Sequence, residues 1–190
     1  MNLGGFENIS IKANKQITAF DICPVNMVLN QLCNKVGFEY DNNGDIAKSG
    51  KLIPQLFNIL NNLPFYNKLP PKSLSREWVE EFIYPLIKKK YIIIDVLYTF
   101  CEHIALQIGA ELKDGSTLIT GGGTFNTYLI SRINHYAHSK IIIPDEEIIN
   151  FKEAMLFGFL GVLKMRDEIN CLKSVTGAIK NSCSGIIHRV

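Results

Sequence analysis

The sequence predicts an α/β fold with a mixed sheet flanked by helices, and three observations carry that prediction. A meander of three short strands opens the chain, a block of helices fills its middle, and a strand–helix–strand–helix unit closes it. The meander pairs its strands antiparallel through tight turns, whereas the closing unit makes its strands parallel through a helical crossover. At 190 residues the chain fits one domain of ordinary size, and no repeat, low-complexity stretch or linker divides it.

Residues 1–20 read as three strands: an opening strand ending at Gly4-Gly5, then 8–12 and 16–20, with the glycine pair and Asn14 supplying the turns. Asp21 is expected to close the third strand and Pro24 to stand at the first helical position. Met27, Val28, Leu29, Leu32, Cys33 and Val36 then recur at helical spacing, with Gly37 as the cap. Residues 41–50 are rich in turn formers and read as a loop, and 51–61 as a short amphipathic helix. Pro64, Pro70 and Pro71 make 63–76 an extended connector. Helix resumes over 76–87 around Trp78, Phe82 and Ile83. The longest helix is expected over about 92–112, with Val96, Phe100, His103, Ile104, Gln107 and Ile108 along its core side.

Thr117, Leu118 and Ile119 suit a buried strand, and Gly121, Gly122 and Gly123 remove every Cβ where the chain turns into the next helix. That helix shows Tyr128, Leu129 and Ile133 on one face, with Phe125 a turn earlier. A second strand over 140–143 stops at Pro144, and 151–165 reads as an apolar helix whose Gly158 and Gly161 permit close packing. The tail, 171–190, is polar, and Val175-Thr176-Gly177-Ala178 is its most turn-like stretch.

Composition narrows the function. A net charge of +2 implies no commitment to nucleic acid or to an anionic membrane surface, and Lys88-Lys89-Lys90 reads as a solvated helix end. Asp95 and Glu102 interrupt the longest apolar stretch, so no membrane span is expected. Five scattered cysteines without a C-x-x-C read as reduced cytosolic thiols, and no histidine spacing suggests a metal site. His103 reads as a hydrogen-bonded core residue. The opening Met1-Asn2-Leu3-Gly4-Gly5 enters structured sequence at once, which suggests one part of a longer protein.

A glycine turn leading into a helix offers backbone N–H groups and a positive dipole end to an anion or nucleotide. One reading is a dinucleotide fingerprint, with Asp145 about 20 residues downstream to hold a ribose, but the third glycine of that fingerprint is missing. The bland reading is a tight turn that packs the helix on its sheet.

Taken together, the glycine elements resemble the second lobe of the actin-like ATPase (ribonuclease H-like) and sugar kinase superfamily. Within it the wording is similar to the anhydro-N-acetylmuramic acid kinases. The motif N-(I/L)-G-G-x-x-N-I corresponds to Asn2 through Ile9, and F-D-x-x-P-x-N to Phe20 through Asn26. P-P-K-S-x-x-R-E corresponds to Pro70 through Ser73 with Arg76-Glu77, and G-G-G-x-x-N to Gly121 through Asn126. Glu153-Ala154 and Val175 through Ala178 complete the ordered set.

The resemblance implies a cytoplasmic kinase that uses ATP with Mg²⁺ on a small amino sugar, 1,6-anhydro-N-acetylmuramic acid. It implies Asp21 as the general base, and Gly4, Gly5, Asn8, Gly121, Gly122, Gly123 and Asn126 at the nucleotide or its phosphates. Asn26 and Glu153 are implied at the substrate. It also implies that these residues form a single domain, the second lobe, without the N-terminal lobe; a homodimer is an open alternative. The family commonly carries Thr and glycines where this chain has Ile22, Cys23 and Val25, which would place side chains where backbone approaches ligand. Leu74 and Ser75 replace a usual Thr-Gly. Lys72, Arg76 and Glu77 read as a surface salt-bridge group. The rival reading is a non-catalytic nucleotide- or partner-binding module derived from such a lobe.

Overall fold

Alternating apolar and polar side chains at the start of the chain form three antiparallel strands in the computed structural model, which describes residues 1–14 and 16–188. They are β1 (Asn2–Leu3), β2 (Phe6–Ala13) and β3 (Gln16–Pro24). Asn2 pairs with Asn8, and Asn8 in turn with Asp21, while Ile9 lies opposite Phe20. The register slips between Glu7, opposite Cys23, and Asn8, so Ile22 is the extra residue of a bulge. The third strand does not end at Asp21. Its pairing continues to Pro24, opposite Phe6, and the Val25 N–H donates to the Gly5 carbonyl, so helix begins only at Asn26.

The closing unit supplies β4 (Ser116–Leu118) and β5 (Lys140–Ile142), which are parallel as expected. Asn2 bridges Thr120 in the parallel sense, with the Leu3 N–H donating to the Thr120 carbonyl and the Thr120 N–H to that of Met1. The five strands therefore lie in the order β3–β2–β1–β4–β5, one mixed sheet with the N-terminal strand at its centre.

Helix α1 (Asn26–Asn34) follows the meander, and Gly37 turns the chain after it at φ +89°. Within 41–50 the chain makes a tight turn and then α2 (Asp45–Lys48). The cause is Asp41, a buried carboxylate that accepts the N–H groups of Ile46 and Ala47 at 2.8 and 2.9 Å. Helix α3 (Pro54–Asn61) starts on its proline, later than the apolar pattern suggested. The connector holds a short turn at Pro64–Asn67, whose Phe65 and Tyr66 rings pack on Trp78. Helix α4 (Arg76–Trp78) then widens into a π turn and tightens into a 3₁₀ turn before α5 (Ile93–Glu111). Helix α6 (Thr127–Tyr136) joins β4 to β5, and α7 (Glu146–Met165) and α8 (Lys173–Thr176) end the described chain.

One face of the sheet carries Leu3, Ile9, Phe20 and Ile119, all buried beneath α1, α5 and α6. Leu32, Phe100, Ile104, Ile108, Leu129 and Ile133 fill the space between, each burial worth about 2 kcal/mol before chain entropy is counted. Helix α5 is long and apolar enough to cross a membrane despite Asp95 and Glu102, but more than half of it is buried in this core. Its Glu102 accepts Arg132 and Tyr136 from α6, a fork across the two helices. His103 is fully buried, bonded through Nδ1 to Asn61 and through Nε2 to the Tyr66 hydroxyl, as expected of a core histidine.

The opposite face is covered only in part, by the proline-rich connector, α8 and Lys152 of α7. Leu118 in β4 is 48% exposed, so this strand is buried on one side only, and Phe125 at 46% stands off the buried side of α6. Helix α7 is longer than α5 by one residue and has no fully buried residue. No atom comes within 4 Å of a Cβ built on Gly158 or Gly161, so the close packing expected there is absent among the described residues.

Candidate functional site

The pairing that places Asn2 beside Asn8 and Asn8 beside Asp21 puts all three on the open face, because Leu3, Ile9 and Phe20 take the buried one. Thr120 extends this polar row onto the edge of β4. Its far end is closed by Lys152 of α7, whose Nζ donates to Asn2 Oδ1 at 2.5 Å and to Thr120 Oγ1 at 2.7 Å. Asn2, which the motif names without a role, was not expected at the site, and neither were Thr120 and Lys152. The symmetry of Asn2 and Asn8 about Gly4-Gly5 could have revealed the first, since a hairpin brings such a pair face to face.

Asp21 is gripped by the proline-rich connector. Its N–H donates to the Lys72 carbonyl at 3.0 Å, and its Oδ2 accepts the Leu74 N–H at 2.7 Å. This clamp aims the carboxylate into a cavity of about 350 Å³, lined also by Asn8, Pro71, Ser73 and Thr176. The Val175-Thr176 stretch reaches this wall because α8 packs against β3, with Gly177 in the left-handed region ending it. Lys72 does not join a salt-bridge group. Its ammonium lies 5.6 and 5.1 Å from the centres of the Phe20 and Phe65 rings, while Arg76 pairs with Glu80 four residues on. Ile22, Cys23 and Val25, at 2%, 0% and 0% exposed, point into the core, so these departures place no side chain in the cavity.

The glycine turn forms a different site. A Cβ on Gly121 would lie 2.8 Å from the Leu3 carbonyl oxygen, and one on Gly123 would lie 2.7 Å from Leu3 Cγ, so both are required by the close passage of β1. Gly121 also takes φ +92°, which favours glycine. Gly122 meets nothing within 4 Å. It faces a cavity of about 710 Å³ lined by Gly123, Asn126, Asn26, Tyr40, Asn43 and Phe125, among others. Asn126 is also the N-cap of α6, accepting the Leu129 N–H at 2.9 Å. Glu146 stands at this cavity, whereas Asp145, the ribose candidate of the dinucleotide reading, is not part of its lining.

The expected site residues thus divide between cavities. Asp21 and Asn8 share one, and Gly122, Gly123 and Asn126 share another with Asn26. Gly5 lines a third, of about 570 Å³, with Asn26 and Arg76, and its carbonyl and that of Gly4 accept the first N–H groups of α1. Gly4 and Gly121 line none of the three. Glu153 is exposed on α7 and also lines none of them.

Behind Asp21, on the covered face, Glu7 is fully buried and neither carboxylate oxygen has a hydrogen-bond partner among the described residues. Burial pushes its pKa well above the usual carboxylate range; the Met1 amino group opposes this, and Asp21 and Glu111 reinforce it. The bulge leaves the Ile22 N–H near enough to favour the charged form slightly, without hydrogen-bond geometry. The sequence gives no hint of this burial, because Glu7 falls between the expected strands, at an unassigned position of the N-(I/L)-G-G-x-x-N-I motif.

Known proteins resemble this chain along nearly its whole length. The profile of the anhydro-N-acetylmuramic acid kinase family matches residues 1–189. An anhydro-N-acetylmuramic acid kinase of Bacillus cereus strain AH187 is 30% identical over 97% of this chain and 54% of its own length. One from Saccharophagus degradans is 29% identical over 98% of this chain and 54% of its own. The chain spans about half the length of the curated relatives it matches. With the family profile running along nearly the whole chain and the mixed sheet of an actin-like ATPase lobe beneath it, the chain belongs to the anhydro-N-acetylmuramic acid kinase family.

Proposed function

We propose that this chain is the second lobe of a cytoplasmic, ATP-dependent sugar kinase. The reaction is phosphorylation of the 6-oxygen of 1,6-anhydro-N-acetylmuramic acid with hydrolytic opening of the anhydro ring, in cell-wall recycling. The observation that carries this reading is the clamped Asp21, one oxygen held by the Leu74 N–H and the carboxylate aimed into a cavity it shares with Asn8.

In this role Asp21 takes a proton from the water that attacks the anomeric carbon, while O6 accepts the γ-phosphoryl group and ADP leaves with the bridging oxygen. The bond broken at carbon is the anhydro bridge, and O6 leaves it as the new phosphate acceptor. The glycine-turn cavity suits the adenosine: Gly122 is open to it, and Tyr40 and Phe125 offer exposed rings along its wall. Asn26, which lines both this cavity and the Gly5 cavity, links the nucleotide end to the hairpin. Mg²⁺ bound with the nucleotide supplies charge neutralisation at the phosphates. Asp21 is the carboxylate of its own cavity, and Glu39, Asp41 and Glu146 line the glycine-turn cavity. Glu153 belongs to the substrate site only once the other lobe brings sugar to α7.

The test is Asp21→Asn in a polypeptide that carries both lobes. Loss of turnover by about 100-fold or more, with ATP binding retained, is the expected result for a general base. Turnover within a few-fold of the parent would sink the base assignment, whereas a two-lobe polypeptide with Asp21 intact that shows no turnover would favour the binding-module reading.

A further inference from the structure

Helix α7 is built to be covered. Nine of its large apolar side chains are 37–77% exposed, on the order of 1,000 Å² of apolar surface, where the largest patch on a monomer is usually a few hundred. Only Ile149, Lys152, Leu163 and Lys164 are even half-buried. Lys152 anchors the helix to the polar row near its start, and beyond that point it leaves the sheet.

The composition of the free part identifies its cover. Residues 154–163 contain no polar or charged side chain, so the helix is apolar all round there. Such a helix belongs inside a protein core or a membrane. Ten helical residues cover about 15 Å, half of a bilayer core, so a membrane does not fit. A second copy related by a two-fold axis would cover one side of the helix. Wrapping every side takes a groove between several elements, which is the body of another lobe. The chain spans 54% of its relatives' length, so a body of nearly equal size remains to supply that groove. Gly158 and Gly161, which nothing in this structure meets, leave room for a close crossing.

We infer that residues 154–165 of α7 insert into the first lobe of the kinase and form the main contact that joins the two halves. This rests on the two-lobe reading above, but it specifies the surface and the direction of insertion. It also makes the helix that carries Glu153 a strut between the lobes, so that joining them and presenting Glu153 are one event.

The experiment fuses the part of the Bacillus cereus relative that this chain does not match ahead of Met1 and compares hydrogen exchange with that of the chain alone. Amides of residues 154–165 are expected to exchange at least tenfold more slowly in the fusion. The double variant Phe157→Asp, Phe159→Asp is expected to lose that protection while residues 93–111 stay protected in both. Equal exchange of 154–165 in the fusion and the isolated chain would overturn the inference. So would protection already present in the isolated chain together with the mass of two copies, which would make a second copy the cover. The readout is independent of turnover, so a fusion that protects α7 yet phosphorylates no anhydro sugar would reject the kinase reading and keep the docking surface.

Discussion

Helices α5 and α7 differ by one residue in length and are both rich in large apolar side chains, yet one lies in the core and the other has no fully buried residue. Eleven residues of α5 are buried, including the polar Thr99, Glu102 and His103, and each of these three has a hydrogen-bond partner. Helix α7 buries none and, among the described residues, carries no such specific polar contact beyond Lys152. The difference teaches that apolar content states a demand for cover, whereas paired polar groups mark where that demand is met within the same chain.

The sharpest way to break this comparison is to make the same substitution in both helices. Phe100→Ala in α5 is expected to cost about 4 kcal/mol, because the side chain is fully buried and the cavity cannot collapse, while Phe157→Ala in α7 should change stability by less than about 0.5 kcal/mol. Urea denaturation of the isolated chain measures both. A large loss for Phe157→Ala would mean that α7 is already packed in solution.

Next comes the fork between α5 and α6. Glu102 is 5% exposed and holds both Arg132 and Tyr136, so Glu102→Ala should cost about 3 kcal/mol by stranding the guanidinium. The same midpoint measurement checks it. An unchanged midpoint would show that Arg132 finds water and that the fork contributes little.

The smallest effect is read between pH 7 and pH 5. Burial holds His103 neutral and lowers its pKa to about 3, against an ordinary value of 6.5. The unfolded chain takes up a proton that the folded chain refuses. Stability from this residue is therefore complete above 6.5 and falls as pH drops toward 3, by about 1.4 kcal/mol per unit. Urea midpoints between pH 7 and pH 5 should show that slope, and His103→Gln should flatten it. An equal slope in the variant would assign the acid sensitivity elsewhere.

Much of the fold was legible because its signals are local. The two-residue period of β2, the glycine that turns the chain after α1 and the glycine turn before α6 each act within a few residues. Element ends were less legible. Nothing local says that β3 passes Asp21, since its continuation depends on Phe6 and Gly5 across the hairpin. The same limit applied to the site: the motifs named Asp21 and Asn8, but only the register shows that they are neighbours.

By itself, then, the sequence determined the kinds of element, their order, the family wording and the presence of an apolar helix near the end. Tertiary structure decided which residues share a face and which glycines serve packing rather than a ligand. It also decided that the glycine turn and Asp21 open into separate cavities. The reason is physical: periodicity and turn chemistry act over one or two turns of chain, whereas register, close approach and burial are set by partners up to 150 residues away, as Lys152 is from Asn2.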